Sequence, residues 1–448
     1  MTPPRSETLP GHSSEPAETS SLQGSSRLRV LFLVHNHPTF HPGGAEIYAL
    51  HLHRAMQNSD RMESLLVAAA TGRYFPHHIN RAIFRVKEDD PSELIWSVPH
   101  FDDFYFTSHN KTSYTQDLRA LLQSFRPDIV HVQHTLRLGV EALTEIRRTC
   151  PSTPIVYTLH EFLLLCFSRG ILLRRDTDER CAEATPWRCH QCFPERSAEE
   201  FVLRERFIKT QLESVDLFLA PSRYLRERYV DWGIAGGRIR FHDYGRRISP
   251  HEADDSVDTR RFVFIGQTMR HKGILVLLQA MKILIDRGRK NIILYIDGTN
   301  MDFDGDDYVR DVKRKLDECD GQVLLRGPYT QDELPGRIKD AAWVVVPSIW
   351  WENSPLVIQE AFMHHRPVIC SDVGGMAEKV DHGINGLHFR TGDPSHLADV
   401  MSEAAGNDEL WARLRLRLPD IPSLEDDLRD LEGIYRDLLA AKSRTPGS

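Results

Sequence analysis

Short, uninterrupted apolar runs alternate along this chain with segments whose apolar residues recur at helical spacing. Residues 28–34 (LRVLFLV) form the first run, which ends at His35. A loop holding Pro38, Pro42, Gly43 and Gly44 follows, and residues 45–56 then read as a helix. Strand, glycine turn and helix make the opening unit of a doubly wound sheet. Further buried strands are expected at 65–70, 128–132, 154–159 and 215–220, with helices at 116–124, 139–147 and 223–231. A polar, acidic stretch at 249–259 reads as a linker. Beyond it the alternation restarts, with strands at 261–266, 291–296, 323–325, 343–346 and 367–370 and helices at 272–285 and 308–319.

Two βα series joined by a linker predict an α/β protein of two Rossmann-like, doubly wound domains facing across a cleft. The expected bounds are 28–250 and 251–405, with closing helices over 406–448 that pack back on the first domain. Residues 1–27, rich in Ser, Pro, Glu and Thr, read as a disordered tail without the apolar core of a signal peptide.

Composition narrows the function. The 448 residues are 41% hydrophobic and 27% charged, enough for a large core. The net charge of -8, with no long basic block, argues against nucleic acid as a partner. No apolar run reaches the ~20 residues of a membrane helix, so the expected location is cytoplasmic, with at most peripheral contact to a membrane.

The densest chemistry lies in 350–363, WWENSPLVIQEAFM. Glu352 and Glu360 stand eight positions apart around an expected helix start, with Ser354 as N-cap and Pro355 in the first helical position. Glu352 then falls in the loop and Glu360 about two turns inside the helix. The backbone N–H groups of Asn353 and Ser354 face the crevice beyond a strand end, where an anion and sugar hydroxyls are readily held.

Four of the seven cysteines, Cys166, Cys181, Cys189 and Cys192, fall in one short polar segment, an insertion at 166–192. A C-x14-C-x7-C-x2-C spacing suits a structural zinc; four free thiols are the bland reading, and an iron–sulfur cluster would use the same ligands. His35, His37 and His41 crowd a Pro-rich loop without a carboxylate in step, which is weak evidence for a metal. His131 and His134 end a strand and are left unassigned.

Taken together, FIGQTMRHKG from Phe264, the E-x7-E element with its following Gly374-Gly375, NGLHFRTGD ending at Asp393, GGAE at 43–46 and YTLHEF at 157–162 resemble glycosyltransferase family 4. The resemblance spans roughly residues 28–405 and implies the GT-B fold and a retaining enzyme. It implies that Lys272 binds the donor diphosphate, Glu360 the ribose hydroxyls, and Glu352 the donor sugar. Asn353, Ser354 and Leu356 would add backbone N–H groups; Pro355 has none. Gly43 and Gly44 would let the backbone approach the donor closely, and His160 would touch the transferred sugar and assist the reaction. Base contacts would come from backbone near Gly327 to Tyr329.

The pattern departs at Gln267, where the family commonly carries an arginine; Arg270 nearby is the candidate to supply the missing charge. No cofactor is required for catalysis on this reading. The partners are a nucleotide-sugar donor and a glycan or lipid-linked saccharide acceptor, as in polysaccharide biosynthesis. With no obvious carboxylate nucleophile in the first half, direct attack assisted by the leaving phosphate is favoured over a covalent intermediate. The alternatives are a non-catalytic nucleotide-sugar or glycan-binding protein and a sugar-nucleotide epimerase or hydrolase on the same fold.

Overall fold

The computed structural model describes residues 27–40, 43–70, 83–86, 90–98, 100–109, 111–247, 257–319 and 321–444. The expected tail, His41 and most of the expected linker lie outside the described residues. Two α/β units share the chain. The first sheet runs, edge to edge, Ile239–Phe241, Leu217–Ala220, Ile155–Thr158, Ile129–Val132, Leu28–His35, Met62–Ala70, Glu93–Ser97 and Ile83–Arg85. Every neighbouring pair is parallel except the last. Parallel strands covered by helices on both faces must be apolar throughout, which is why LRVLFLVH reads as one run rather than an alternation.

The second sheet is wholly parallel, in the order Val323–Gly327, Ile293–Asp297, Arg261–Ile265, Trp343–Val346, Val368–Ser371 and Gly386–Phe389. Chain order reverses at Arg261–Ile265 here and at Leu28–His35 in the first sheet. Helices leave opposite faces on either side of such a switch point and open a crevice at the carboxyl ends of the strands. Each domain thereby offers one crevice.

The C-terminal region divides its packing. The helix Asp408–Arg415 buries Leu410, Trp411 and Leu414 in the second domain's core. The long helix Leu424–Arg444 returns to the first domain, burying Leu431, Ile434 and Tyr435 against the strand and helix that open the fold. Asp427 ties it down, accepting hydrogen bonds from Tyr48 Oη (2.9 Å) and the Gly245 amide (2.8 Å) and pairing with His242 Nε2 (2.7 Å). No helix among the described residues is long and apolar enough to cross a membrane.

Candidate functional site

The two crevices meet in one cavity of about 770 Å³ lined by both domains. From the first domain come His35, Gly44, Glu46, His134, His160 and Glu161; from the second, Gln267, Lys272, Trp350, Glu352, Asn353, Ser354 and Leu356. Most of these sit at or just beyond strand carboxyl ends, as the switch-point geometry requires.

On the second domain's side, the loop after Trp343–Val346 carries Glu352 back over the crevice. Glu352 is buried and accepts from Lys272 Nζ (2.6 Å) and Ser348 Oγ (2.7 Å). Burial alone would raise its pKa, but Lys272 and Ser348 hold it below the ordinary carboxylate range. Lys272 also lies over the Trp350 ring, 5.3 Å from its centroid. Its position depends on Gly273, whose φ of +78° and close approach to Pro347 leave no room for a Cβ. The glycine pair of the sequence pattern has a like purpose. A Cβ on Gly375 would stand 1.6 Å from the Asn353 carbonyl oxygen, and the Gly375 amide donates to the Glu352 carbonyl (2.6 Å).

The helix after this loop begins one residue later than expected, at Leu356, with Pro355 as its N-cap and no side-chain cap. Ser354 is not the cap because its hydroxyl is bonded across the domain boundary, to Asp243 Oδ1 (3.2 Å). Asn353 is held likewise, its Nδ2 donating to the His160 carbonyl (2.7 Å) while its Oδ1 accepts from Ser222 Oγ (3.0 Å). Glu360 is buried but does not line the cavity wall; its carboxylate pairs with Arg246. Arg270, the candidate for the charge missing at Gln267, is not among the residues that line the cavity; its guanidinium lies over Tyr308, 5.0 Å from the ring centroid, and its amide donates to Asp304 (2.6 Å). Gln267 faces the cavity, whereas Gly43 caps the helix Gly44–Gln57 with no side chain to contribute.

Across the cavity, His160 follows the strand Ile155–Thr158. It meets Tyr244 Oη through Nδ1 (2.7 Å) and Gln133 Oε1 through Nε2 (2.8 Å), and it stacks on Tyr244. Burial, helped by His134, His35 and His131, drives its pKa well below the usual value, so the ring is neutral. Gln133 passes the network to His131 Nε2 (3.1 Å), and His131 Nδ1 meets Tyr435 Oη (2.6 Å) on the C-terminal helix.

Sequence reasoning missed the carboxylates of this domain. Glu46 pairs with His35 Nε2 (3.1 Å) and Glu161 with His134 Nε2 (2.9 Å), and the two imidazoles face each other at 4.1 Å. Burial would raise Glu46, yet His35 keeps it below its ordinary pKa. The signal was present: Glu46 ends GGAE and Glu161 follows His160, but nothing in the order of residues showed that both turn inward. Among the described residues His37 joins no metal cluster; it meets Thr39 (3.0 Å) and Glu93 (3.2 Å).

The four cysteines are brought into one neighbourhood. Cys189 and Cys192 share the short helix Pro186–Cys192, and the Arg175 amide donates to Cys192 Sγ (3.3 Å). Burial first, then the neighbouring thiols, push Cys189 up to about 12. Among the described residues no three His, Cys, Asp or Glu side chains are arranged to hold a metal ion, so the zinc expectation has no formed ligand set. The insertion does bridge the domains. Arg169 pairs with Asp304 (3.2 Å), and Arg180 lies over Trp351, 5.4 Å from its ring centroid.

The family described as Glycosyltransferase Family 4 matches residues 42–242, and that described as Glycosyl transferases group 1 matches 259–407. A D-inositol 3-phosphate glycosyltransferase of Streptomyces scabiei is 28% identical, with 88% of each chain covered. An uncharacterized glycosyltransferase of Methanocaldococcus jannaschii is 30% identical over 32% of this chain and 34% of its own length. The match thus spans about a third of that relative. Among solved structures, a sucrose-phosphate synthase of Thermosynechococcus elongatus superposes with a TM-score of 0.68 at 17% identity, covering 93% of this chain and 100% of that one. HepE of Anabaena, in complex with UDP-glucose, superposes with a TM-score of 0.62 at 15% identity, covering 92% and 100%. These likenesses establish a GT-B fold.

Proposed function

The chain belongs to glycosyltransferase family 4, and from that premise we propose that it moves a sugar from a nucleotide-diphosphate sugar to a hydroxyl of a glycan or lipid-linked saccharide, with retention at the anomeric carbon. The observation that carries the reading is the pair of half-buried Lys272 and buried Glu352 on one wall of the cavity with neutral His160 on the other. Lys272 is the cation for a diphosphate: it stabilises the charge that grows on the leaving group as the sugar–phosphate bond breaks. Glu352, held ionised, accepts sugar hydroxyls and favours positive charge at the anomeric carbon. In the resting protein the two neutralise each other, so a donor enters by exchanging one ion pair for two sets of contacts.

His160, being neutral, takes a sugar hydroxyl by exchanging its bond to Tyr244 or Gln133, without repelling the cationic sugar of the transition state. Of the carboxylates that line the first domain's side, Glu46 and Glu161 are each engaged by an imidazole, and Asp103 is solvent-exposed. The proposed route is therefore direct attack on the donor's front face, with the acceptor proton passing to the departing phosphate oxygen. The bond from the anomeric carbon to that phosphate breaks as the bond to the acceptor oxygen forms, and the products are a glycoside and a nucleoside diphosphate.

The test is turnover of a donor panel that includes UDP-glucose, read as nucleoside diphosphate release, with Lys272→Ala and Glu360→Ala beside the wild type. Release with one donor, reduced at least ~100-fold in both variants, is expected. An α-linked product from an α-linked donor, read by NMR, checks retention. Failure of any nucleotide sugar to bind the wild type refutes the transferase reading.

A further inference from the structure

Glu360, the carboxylate expected to meet the donor's ribose, is not alone. Its Oε1 pairs with Nη2 of Arg246, and the two side chains are only 11% and 8% exposed. Arg246 comes from the segment that leaves the first domain, and its backbone is fixed. Its amide donates to the Pro422 carbonyl (2.9 Å), and its own carbonyl accepts from the Leu424 amide (2.9 Å). A backbone bridge to Ser423 lies between them. The guanidinium therefore reaches Glu360 from a base clamped on both sides, not from a free loop.

A carboxylate buried this far tends to take a proton, and a protonated one donates where a ribose hydroxyl also needs to donate. Around Glu360 the other titratable groups offer little help. Tyr329, beyond the strand Val323–Gly327, is a neutral phenol whose other charged neighbours are Asp297 and Arg246. His51, on the helix Gly44–Gln57, is kept neutral by burial and by Arg246, Arg247 and Arg54. On its own helix, Gln359 is uncharged and bonded to Asp243 (3.3 Å) and the Tyr244 carbonyl (3.1 Å). Arg246 is the cation in direct contact.

We propose that Arg246 is a positioning residue for donor binding: it keeps Glu360 ionised and oriented to accept from the paired hydroxyls of a nucleotide's ribose. The proposal rests on the transferase reading of the site. It also locates a positive charge on the donor side where Gln267 supplies none. Because Arg246 is anchored to the segment that crosses back to the first domain, ribose recognition is coupled to the contact between the domains.

The experiment measures binding of UDP, GDP and ADP to the full chain by calorimetry from pH 5.5 to 8.5, with the 2′-deoxy form of whichever binds. The proteins are wild type, Arg246→Met and Arg246→Lys, each checked by thermal melting. Burial holds the Glu360 pKa above its ordinary value and Arg246 opposes it, so removing the guanidinium lets it rise further, and affinity is lost as pH falls and regained as it rises. Arg246→Met is expected to bind ~10-fold or more weakly than wild type near pH 6 and to recover toward pH 8.5. Its preference for ribose over 2′-deoxyribose is expected to collapse at the acid end, while Arg246→Lys keeps most of both. Equal affinity in the wild type and Arg246→Met, a loss of the same size at every pH, or tighter binding by Arg246→Met overturns the proposal and leaves the transferase reading standing. No nucleotide bound by the wild type overturns both.

Discussion

His160 is poised by two hydrogen bonds that also set its tautomer. Gln133 Oε1 accepts, so Nε2 carries the proton and Nδ1 receives the Tyr244 hydroxyl. On the proposed mechanism, replacing it with alanine removes a sugar contact made most strongly in the transition state and leaves donor contacts on the opposite wall alone. His160→Ala is expected to lower kcat ~100- to 1,000-fold with donor Kd changed less than ~3-fold; a matching loss in both quantities refutes the transition-state role. At this scale the sequence was partly legible. Glu352, Lys272 and His160 stand out because their neighbours form a recognisable string. Arg246 does not: in GRR beside a polar linker it looks like surface charge, and only the bridge to Ser423 turns it inward. Ser354 was misplaced by one position because its partner, Asp243, is more than a hundred residues away.

Elements whose apolar run is continuous were legible, since a parallel strand buried on both faces has no alternation to confuse. The strand Glu93–Ser97, next to the edge of the first sheet, was missed: it begins with a buried glutamate that His37 and Arg54 make tolerable. The loop that holds Glu352 illustrates how a neighbouring helix shapes a site. Gly374–Lys379 starts with two glycines because the Glu352–Asn353 backbone lies directly on it. Gly375→Ala must push that loop into the cavity. Donor binding is expected to fall ~10-fold or more, with a stability loss of about 1–3 kcal/mol by urea unfolding, the cost of overpacking. Wild-type donor affinity in a folded Gly375→Ala protein refutes this account of the glycine pair.

Across the whole molecule, burial keeps several imidazoles neutral. Burial lowers His51, His53 and His271 to about 4 and His131 to about 3, and lowers His134 and His160 as well. A histidine whose folded pKa lies below its unfolded value takes its proton first in the unfolded chain. Its contribution is complete above about pH 6.5 and is lost as pH falls toward the folded value, at about 1.4 kcal/mol per pH unit for each such group. Glu93, held down to about 2 by His37 and Arg54 against its burial, adds a loss at still lower pH. The melting temperature is expected to fall steeply from pH 6.5 to pH 4.5; a flat profile over that range refutes the buried neutral state. This property was not legible from 22 histidines in a composition, because it depends on which of them the two sheets enclose.

The closing helix Leu424–Arg444 gives the molecule a temporal order. Tyr435 completes the hydrogen-bond line through His131 and Gln133 to His160, and Asp427 ties down Tyr48 in the first helix. On the ribosome, the opening βα unit emerges hundreds of residues before either partner exists. The first domain must wait, with its histidine line unterminated, until the rest of the fold has been translated. A nascent chain stalled before residue 424 thus lacks the partners of both His131 and Tyr48, and its histidine line stays open at one end.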